Sequence, residues 1–170
     1  MFDDTVNQPD TKVDLGPSLQ YLTFSLGDEV FAMDIRSVRE IIQYGSMTKV
    51  PLMPEFVRGV INLRGSVVPV IDLRSRFGRT SAQVGKKTCI IIFDVLVDEE
   101  KVELGLLVDS VSEVIDIALS HIEAPPQFGT TIRRDFIHGI GKVGSEFIVI
   151  LAPERALDIN EMASLAEQAA

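Results

Sequence analysis

The residue types that could perform chemistry are few, and most of them stand alone in the sequence. Cys89 is the only cysteine, so the chain has no intramolecular disulfide and no thiolate zinc site. His121 and His138 are the only histidines, and they lack the close spacing that metal sites use. No local signature brings a serine, a histidine and an aspartate together as a hydrolytic triad. The sequence therefore predicts no metal site, no cofactor and no catalytic residue.

One glycine pattern matches a known binding motif. Residues 139–144 read Gly-Ile-Gly-Lys-Val-Gly, the G-x-G-x-x-G spacing that lets a helix N-terminus approach a pyrophosphate. That motif must leave a strand and open a helix, but the residues from Glu146 to Leu151 read as a further strand. We therefore predict a glycine-rich hairpin. An enzyme or nucleotide sensor is the competing hypothesis, and it depends on this pattern alone.

Two arginines within an apolar run are the remaining candidates. Arg58 and Arg64 lie in the stretch from Val57 to Gly65, where glycines allow another backbone to approach closely. Charged side chains within an apolar strand indicate either a buried ion pair or a recognition groove. The residues alone leave both possibilities open.

The elements that must position these residues are short strands. From residue 19 to residue 151, apolar runs rich in Val, Ile and Phe are interrupted by Gly, Pro, Asp or Asn, which is typical of a barrel or sandwich of β-strands. We expect an acidic tail at residues 1–18 and a folded body of two subdomains at residues 19–157. The end of a C-terminal helix that follows Pro153 should cover residues 158–170.

Turn chemistry predicts the individual elements. Asp34 should cap one helical turn, Asp72 should cap a short helix from Leu73 to Phe77, and Pro69 should place its strand at an edge or a bulge. The predicted strands are Tyr21–Leu26 with Glu29–Met33, Glu40–Tyr44, Gly59–Leu63 with Val67–Ile71, Thr88–Val95, Val102–Val108, Val111–Ile117, and Phe136–Val143 with Glu146–Leu151.

Charge and hydropathy exclude two classes of partner. The formal net charge is −9 and the basic residues are scattered, whereas nucleic-acid binding needs clustered Lys and Arg. No apolar run approaches the roughly 20 residues that a spanning helix requires, and the N-terminus lacks a signal-peptide pattern. We predict no nucleic acid, no membrane insertion and a cytoplasmic location.

Several motifs in the same order resemble the CheW family of chemotaxis coupling proteins. The central one reads G-V-I-N-L-R-G from Gly59, followed by P-V-I-D-L-R from Pro69. Upstream, the residues from Phe24 to Ile41 are similar to the family's opening hairpin and short helix. Downstream, Gly105–Asp109 and Val111–Val114 are similar to its second half. The resemblance covers residues 19–157.

This resemblance implies a mostly β fold of two intertwined five-stranded SH3-like barrels, with short helices and a C-terminal helix. It implies a non-catalytic scaffold that couples chemoreceptors to the CheA histidine kinase. The expected partners are the regulatory domain of CheA, the hairpin tip of a chemoreceptor and other CheW-like domains in array rings. The protein would be recruited to membrane-associated receptor arrays. An adaptor of a non-flagellar pathway, such as twitching, is the alternative.

The resemblance also assigns candidate partner-binding residues. Glu40 and Arg64 correspond to a carboxylate and a guanidinium that face each other near a groove, and the pair either contacts a partner or only orders two loops. Five further positions are similar to receptor-binding or kinase-binding positions, although each is equally compatible with the core: Val38, Gly59, Val60, Gly105 and Val108.

Overall fold

The described part of the protein is built almost entirely from short strands. The computed structural model describes residues 16–76, 84–97, 99–125 and 137–152. These residues contain strands β1 (Ser18–Leu26), β2 (Glu29–Asp34), β3 (Val38–Gln43), β4 (Val57–Leu63), β5 (Ser66–Asp72), β6 (Cys89–Val97), β7 (Glu100–Val108), β8 (Ser110–Ala118), β9 (Ile122–Glu123), β10 (Ile137–Val143) and β11 (Glu146–Leu151). Helix α1 (Leu73–Arg76) and two 3-10 turns, Ile35–Ser37 and Leu119–His121, complete them.

The strands form two sheets. The first sheet has the order β8-β1-β2-β11-β10-β9, and the second sheet has the order β3-β6-β7-β5-β4. The chain leaves the first sheet after β2, builds the whole second sheet, and returns through Asp109 between β7 and β8. The first sheet therefore combines both ends of the sequence, which makes the two subdomains intertwined.

The predicted mostly β, SH3-like architecture is confirmed, with two differences of detail. The two-residue strand β9 gives the first sheet a sixth strand. The second sheet is not closed by a full ladder. Instead, two contacts of the segment after β3 connect its two edges. The Tyr44 N–H donates to the Thr88 carbonyl at 3.1 Å, just before β6, and Thr48 forms an isolated β-bridge with Val60 of β4.

The two sheets share one strand pattern. Five neighbouring strands of the first sheet correspond one to one with the five strands of the second. In order across each sheet, the first has β8, β1, β2, β11 and β10, and the second has β3, β6, β7, β5 and β4. Each sheet has one parallel pair, which joins β2 to β11 and β7 to β5. Register shifts also recur, at Val57/Gly59 of β4 and at Ile137/Gly139 of β10.

Three apolar clusters explain why the strands read as continuous hydrophobic runs. The largest lies between the sheets and includes Phe24, Phe31, Ile91, Phe93 and Leu106. A second cluster lies on the other face of the second sheet, and a third lies on the other face of the first. Strand β6 is buried on both faces, so Ile90, Ile91, Ile92 and Phe93 all lie inside without alternation.

The predicted caps are confirmed. Asp34 accepts a hydrogen bond from the Arg36 N–H at 2.9 Å and begins the first 3-10 turn. Asp72 accepts from the backbone N–H groups of Arg74 and Ser75 at 3.0 and 3.4 Å and begins α1. The predicted end of that helix at Phe77, most of the N-terminal tail and the C-terminal helix lie outside the described residues.

Pro69 corrects one expectation. Its strand β5 lies between β4 and β7, so it is not an edge strand, and the register shift falls on β4 instead. Val60, which pairs with Pro69, directs both its N–H and its carbonyl away towards Thr48. The proline nitrogen must therefore face β7, whose pairing begins only at Val70. A proline fits here because its missing N–H faces no ladder partner.

Gly59 makes the bridge to Thr48 possible. A Cβ atom at this position would lie 2.6 Å from the Thr48 carbonyl oxygen and 2.7 Å from Met47 Cγ. The Thr48 N–H donates to the Val60 carbonyl at 3.0 Å, and the Val60 N–H donates to the Thr48 carbonyl at 2.8 Å. Gly59 is therefore required for the close approach of two backbones.

We predict that Gly59→Ala lowers the free energy of unfolding by about 1–3 kcal/mol, because the added methyl group must push the segment at Met47 and Thr48 off β4. Urea denaturation of purified protein measures this. Gly45→Ala is the matched control, since a Cβ there meets nothing within 4 Å. Equal stability losses in the two variants would contradict the role assigned to Gly59.

Candidate partner-binding site

The tip of the β4–β5 hairpin places Arg64 on the surface. Arg64 and Gly65 form a two-residue turn, with φ angles of 52° and 87°. Two consecutive positive φ values define the type I′ turn that matches strand twist, and the turn is fixed because Asn62 Oδ1 accepts from the Gly65 N–H at 2.9 Å. The turn therefore holds the Arg64 backbone in one conformation.

Glu40 on β3 is the partner of Arg64. Arg64 Nη2 donates a hydrogen bond to Glu40 Oε1. The Arg64 side chain is 64% exposed and that of Glu40 is 31% exposed, so this is a surface ion pair. Surface pairs contribute little to stability, because solvent screens them, so both groups are available for recognition at little cost to the fold.

The ion pair changes the titration of both groups. The Arg64 guanidinium, chiefly through its hydrogen bond, lowers the pKa of Glu40 below its ordinary value. The same bond raises the pKa of Arg64. Because the Glu40 pKa is lowered in the folded state, its contribution to stability is present above the ordinary glutamate pKa and is lost as the pH falls through the lowered value.

A second ion pair lies beside the first. Arg39 Nη1 donates to Asp94 Oδ2 at 2.9 Å, which joins β3 to β6. The hydrogen bond to Asp94 is the main reason that the pKa of Arg39 is raised. The charge of Glu103 on the next strand adds a smaller contribution in the same direction for both Arg39 and Arg64. The rim of the second sheet therefore presents a mixed strip of charge rather than a patch of one sign.

Arg58 has a different environment from Arg64. Its Nη1 lies 3.2 Å from Asp72 Oδ2, and the Asp72 side chain is fully buried. The sequence left open whether these arginines form a buried ion pair or line a recognition surface, and the two arginines differ in this respect. Arg58 forms a buried ion pair whose carboxylate also caps α1, and Arg64 lies at the surface.

The structure brings only part of the predicted set together. Val38 is half-buried against the cluster between the sheets, and Val60 is half-buried beside the Thr48 bridge. Gly59, Gly105 and Val108 are buried. A Cβ at Gly105 would lie 2.8 Å from Ile90 Cγ2. Partner binding stays a prediction for these residues, and the buried ones can affect it only through the shape of the surface above them.

Two exposed apolar residues near the ion pair were missed by the sequence reasoning. Ile41 follows Glu40 and is 41% exposed, and Val67 lies three residues after Arg64 and is 69% exposed. For Val67 the hairpin turn was the available signal, because residues that follow it alternate between the two faces of the sheet.

The glycine-rich segment forms the predicted hairpin. Residues 139–144 run along β10 into a turn, and β11 follows where a nucleotide site would need a helix. A Cβ at Gly139 would lie 2.7 Å from Ile122 Cγ2, and one at Gly141 would lie 3.0 Å from Ile117 Cδ1. These glycines therefore allow close strand packing.

Neither a metal-binding cluster nor a membrane-spanning helix occurs in the described residues. Residues 16–76, 84–97, 99–125 and 137–152 contain no group of three or more His, Cys, Asp or Glu side chains placed to hold a metal ion. Over the same ranges, no helix has the length and apolar character needed to cross a bilayer.

Comparison with known proteins gives one consistent family. Residues 20–161 match the model of the CheW-like domain. The chemotaxis protein CheW of Klebsiella aerogenes is 33% identical over 85% of this chain and 84% of its own length. Protein FrzA of Myxococcus xanthus is 25% identical over 76% of this chain and 79% of its own. The crystal structure of the scaffolding protein TtCheW from Thermoanaerobacter tengcongensis has a TM-score of 0.75 and 39% identity over 85% of this chain and 91% of that one.

We predict that Arg64→Ala raises the pKa of Glu40 towards its ordinary value, because the guanidinium hydrogen bond that favours the carboxylate is removed. Carbon-13 NMR titration of the glutamate side chains measures this change. Arg36→Ala, which removes an arginine paired with Asp34 instead, is the control. A Glu40 pKa equal in Arg64→Ala and in the parent protein would show that the pair does not form in solution.

Proposed function

The chain belongs to the CheW-like family, and on that premise we propose that it is a non-catalytic adaptor that couples chemoreceptors to a histidine kinase in chemotaxis signalling. The observation that carries the proposal is the family match over residues 20–161, which includes nearly all the described residues of both sheets. An adaptor needs surfaces rather than reactive groups, and the rim of the second sheet offers one.

The charged rim supports a role in binding. Glu40 and Arg64 are mutually neutralised and partly exposed, and the strand of Glu40 and the hairpin of Arg64 also carry the exposed side chains of Ile41 and Val67. A partner that covers this region can bury apolar area while it exchanges hydrogen bonds with a guanidinium already held in place. In the pair of Arg58 and Asp72 the carboxylate is fully buried and the arginine side chain is only 23% exposed, so we assign this pair to stability.

We propose two protein partners on the strength of family membership. One is the regulatory domain of a CheA-type kinase, and the other is the cytoplasmic hairpin tip of a chemoreceptor. Further CheW-like domains in an array ring are compatible with the same surfaces. Recruitment to membrane-associated arrays would then occur through the receptor, at the cytoplasmic side of the membrane.

Reconstitution tests the adaptor function. Purified protein, a CheA-type kinase and receptor-containing membranes are mixed, and sedimentation and kinase autophosphorylation are measured. We expect the protein to carry kinase into the membrane pellet and to change the autophosphorylation rate when receptor is present. The proposal is refuted if this chain fails in the assay while an established CheW protein succeeds with the same partners.

For the ion pair, we predict that Glu40→Arg weakens binding of the kinase or the receptor about tenfold, because two like charges then adjoin in a site that the partner desolvates. The double variant Glu40→Arg with Arg64→Glu should recover part of the affinity. Fluorescence anisotropy against each purified partner measures both effects.

Glu146→Arg is the matched control for charge reversal. This exposed glutamate begins β11, just after the turn of the β10–β11 hairpin. Its replacement by arginine changes the net charge by the same amount as Glu40→Arg. We expect its affinity for both partners to equal that of the parent. The two single variants and the double variant form a double-mutant cycle. If the double variant recovers no affinity, Glu40 and Arg64 do not interact directly in the complex.

A further inference from the structure

Within the described residues the chain crosses between the two sheets at two places, and an Asp–Arg pair lies at each. At the first crossing, Arg36 Nη2 lies 2.6 Å from Asp34 Oδ2, so this pair is local to the 3-10 turn. At the second crossing, Asp109 is the single residue between β7 and β8. Its partner is Arg74 of α1, which is distant in sequence.

Asp109 is fixed to the first sheet. Its N–H donates to the Ser25 carbonyl at 2.9 Å, and its Oδ2 accepts from the Gly27 N–H at 2.5 Å. Both contacts are with the β1–β2 hairpin. The carboxylate therefore moves with the tip of that hairpin.

Arg74 is fixed to the second sheet. Its N–H donates to Asp72 Oδ1 at the end of β5. Its guanidinium reaches over the first sheet, because Arg74 Cζ lies 3.8 Å from the position that a Cβ of Gly27 would occupy. A Cβ at position 27 would be in ordinary van der Waals contact with the guanidinium, so Arg74 lies against the turn of the β1–β2 hairpin.

The contact between the two groups is loose. Arg74 Nη1 lies 3.7 Å from Asp109 Oδ2, beyond hydrogen-bond length, and both side chains are about three-quarters buried. Asp109 Oδ1 is buried and has no hydrogen-bond partner in the part of the chain that the structure describes. A guanidinium and a carboxylate favour a bidentate contact with two short bonds. A movement of about 1 Å would bring this pair towards that geometry.

We propose that Arg74 and Asp109 form a cross-sheet strap, an electrostatic contact that limits rotation of one sheet against the other about the crossing at Asp109. The apolar cluster between the sheets holds them together but is non-directional, so it permits small rotations. The strap is directional and attached to both sheets, so it limits those rotations. This inference does not depend on the identity of any partner.

Distance distributions between the sheets test the strap. Nitroxide labels at exposed Gln20 of β1 and Lys101 of β7, in a Cys89→Ser background, report on the pivot by pulsed dipolar spectroscopy. We expect Arg74→Ala to broaden the distribution measurably. Arg36→Ala removes the same residue type from the other crossing, where the pair spans no sheets, and should leave the width unchanged. Equal widths for Arg74→Ala and its parent would overturn the proposal.

Two further measurements separate the strap from a general loss of packing. Asp109→Asn keeps an acceptor for the Gly27 N–H but removes the charge, and it should broaden the distribution as Arg74→Ala does. The double variant Arg74→Ala with Asp109→Asn should be no broader than either single variant, because all three lack the same contact. A double variant that is broader than both single variants would refute the strap.

Discussion

Burial of an apolar layer between two sheets is the constraint on which the rest of the structure depends. The layer takes residues from both ends of the described chain, such as Phe24 and Phe31 near the start and Leu151 at the end of β11. Neither sheet can complete it alone, because each supplies only one wall. Further apolar clusters lie on the outer face of each sheet, and this is why strands such as β6 have no polar face.

This constraint also determines where charge is tolerated. Arg58 lies within β4, where its guanidinium meets the fully buried Asp72, and a carboxylate in that position must be paired and hydrogen bonded. Arg64 lies at the turn six residues later, beyond the end of the buried layer, where Glu40 and solvent share it. One hairpin thus carries one arginine that stabilises the fold and one that is available for recognition. Their chemical identity is the same, and only their depth differs.

The sequence predicted the local elements well and the long-range ones poorly. Hairpins and caps depend on turn residues such as Gly65, Asp34 and Asp72, which act on their immediate neighbours. The parallel pairing of β2 with β11 joins residues more than 100 positions apart, and no local pattern encodes it. The edge position predicted for Pro69 was wrong because β5 pairs with both β4 and β7. The proline is tolerated because the ladder with β7 begins one residue later, a detail of register that the sequence does not reveal. For Gly105 and Val108 the sequence left the core and a partner surface equally open, and the structure places both in the core.

The shared strand pattern of the two sheets has a consequence for the order of the chain. In the second sheet the strands follow one another without interruption from β3 to β7, whereas in the first sheet the matching series runs from β8 to β11 and then resumes at β1. The two units are therefore cyclic permutations of one arrangement. A chain rewired so that β11 leads into β1, and opened between β5 and β6, would keep every strand neighbour in both sheets. The architecture is defined by which strands pair with each other, and it does not depend on where in the strand order the chain is opened.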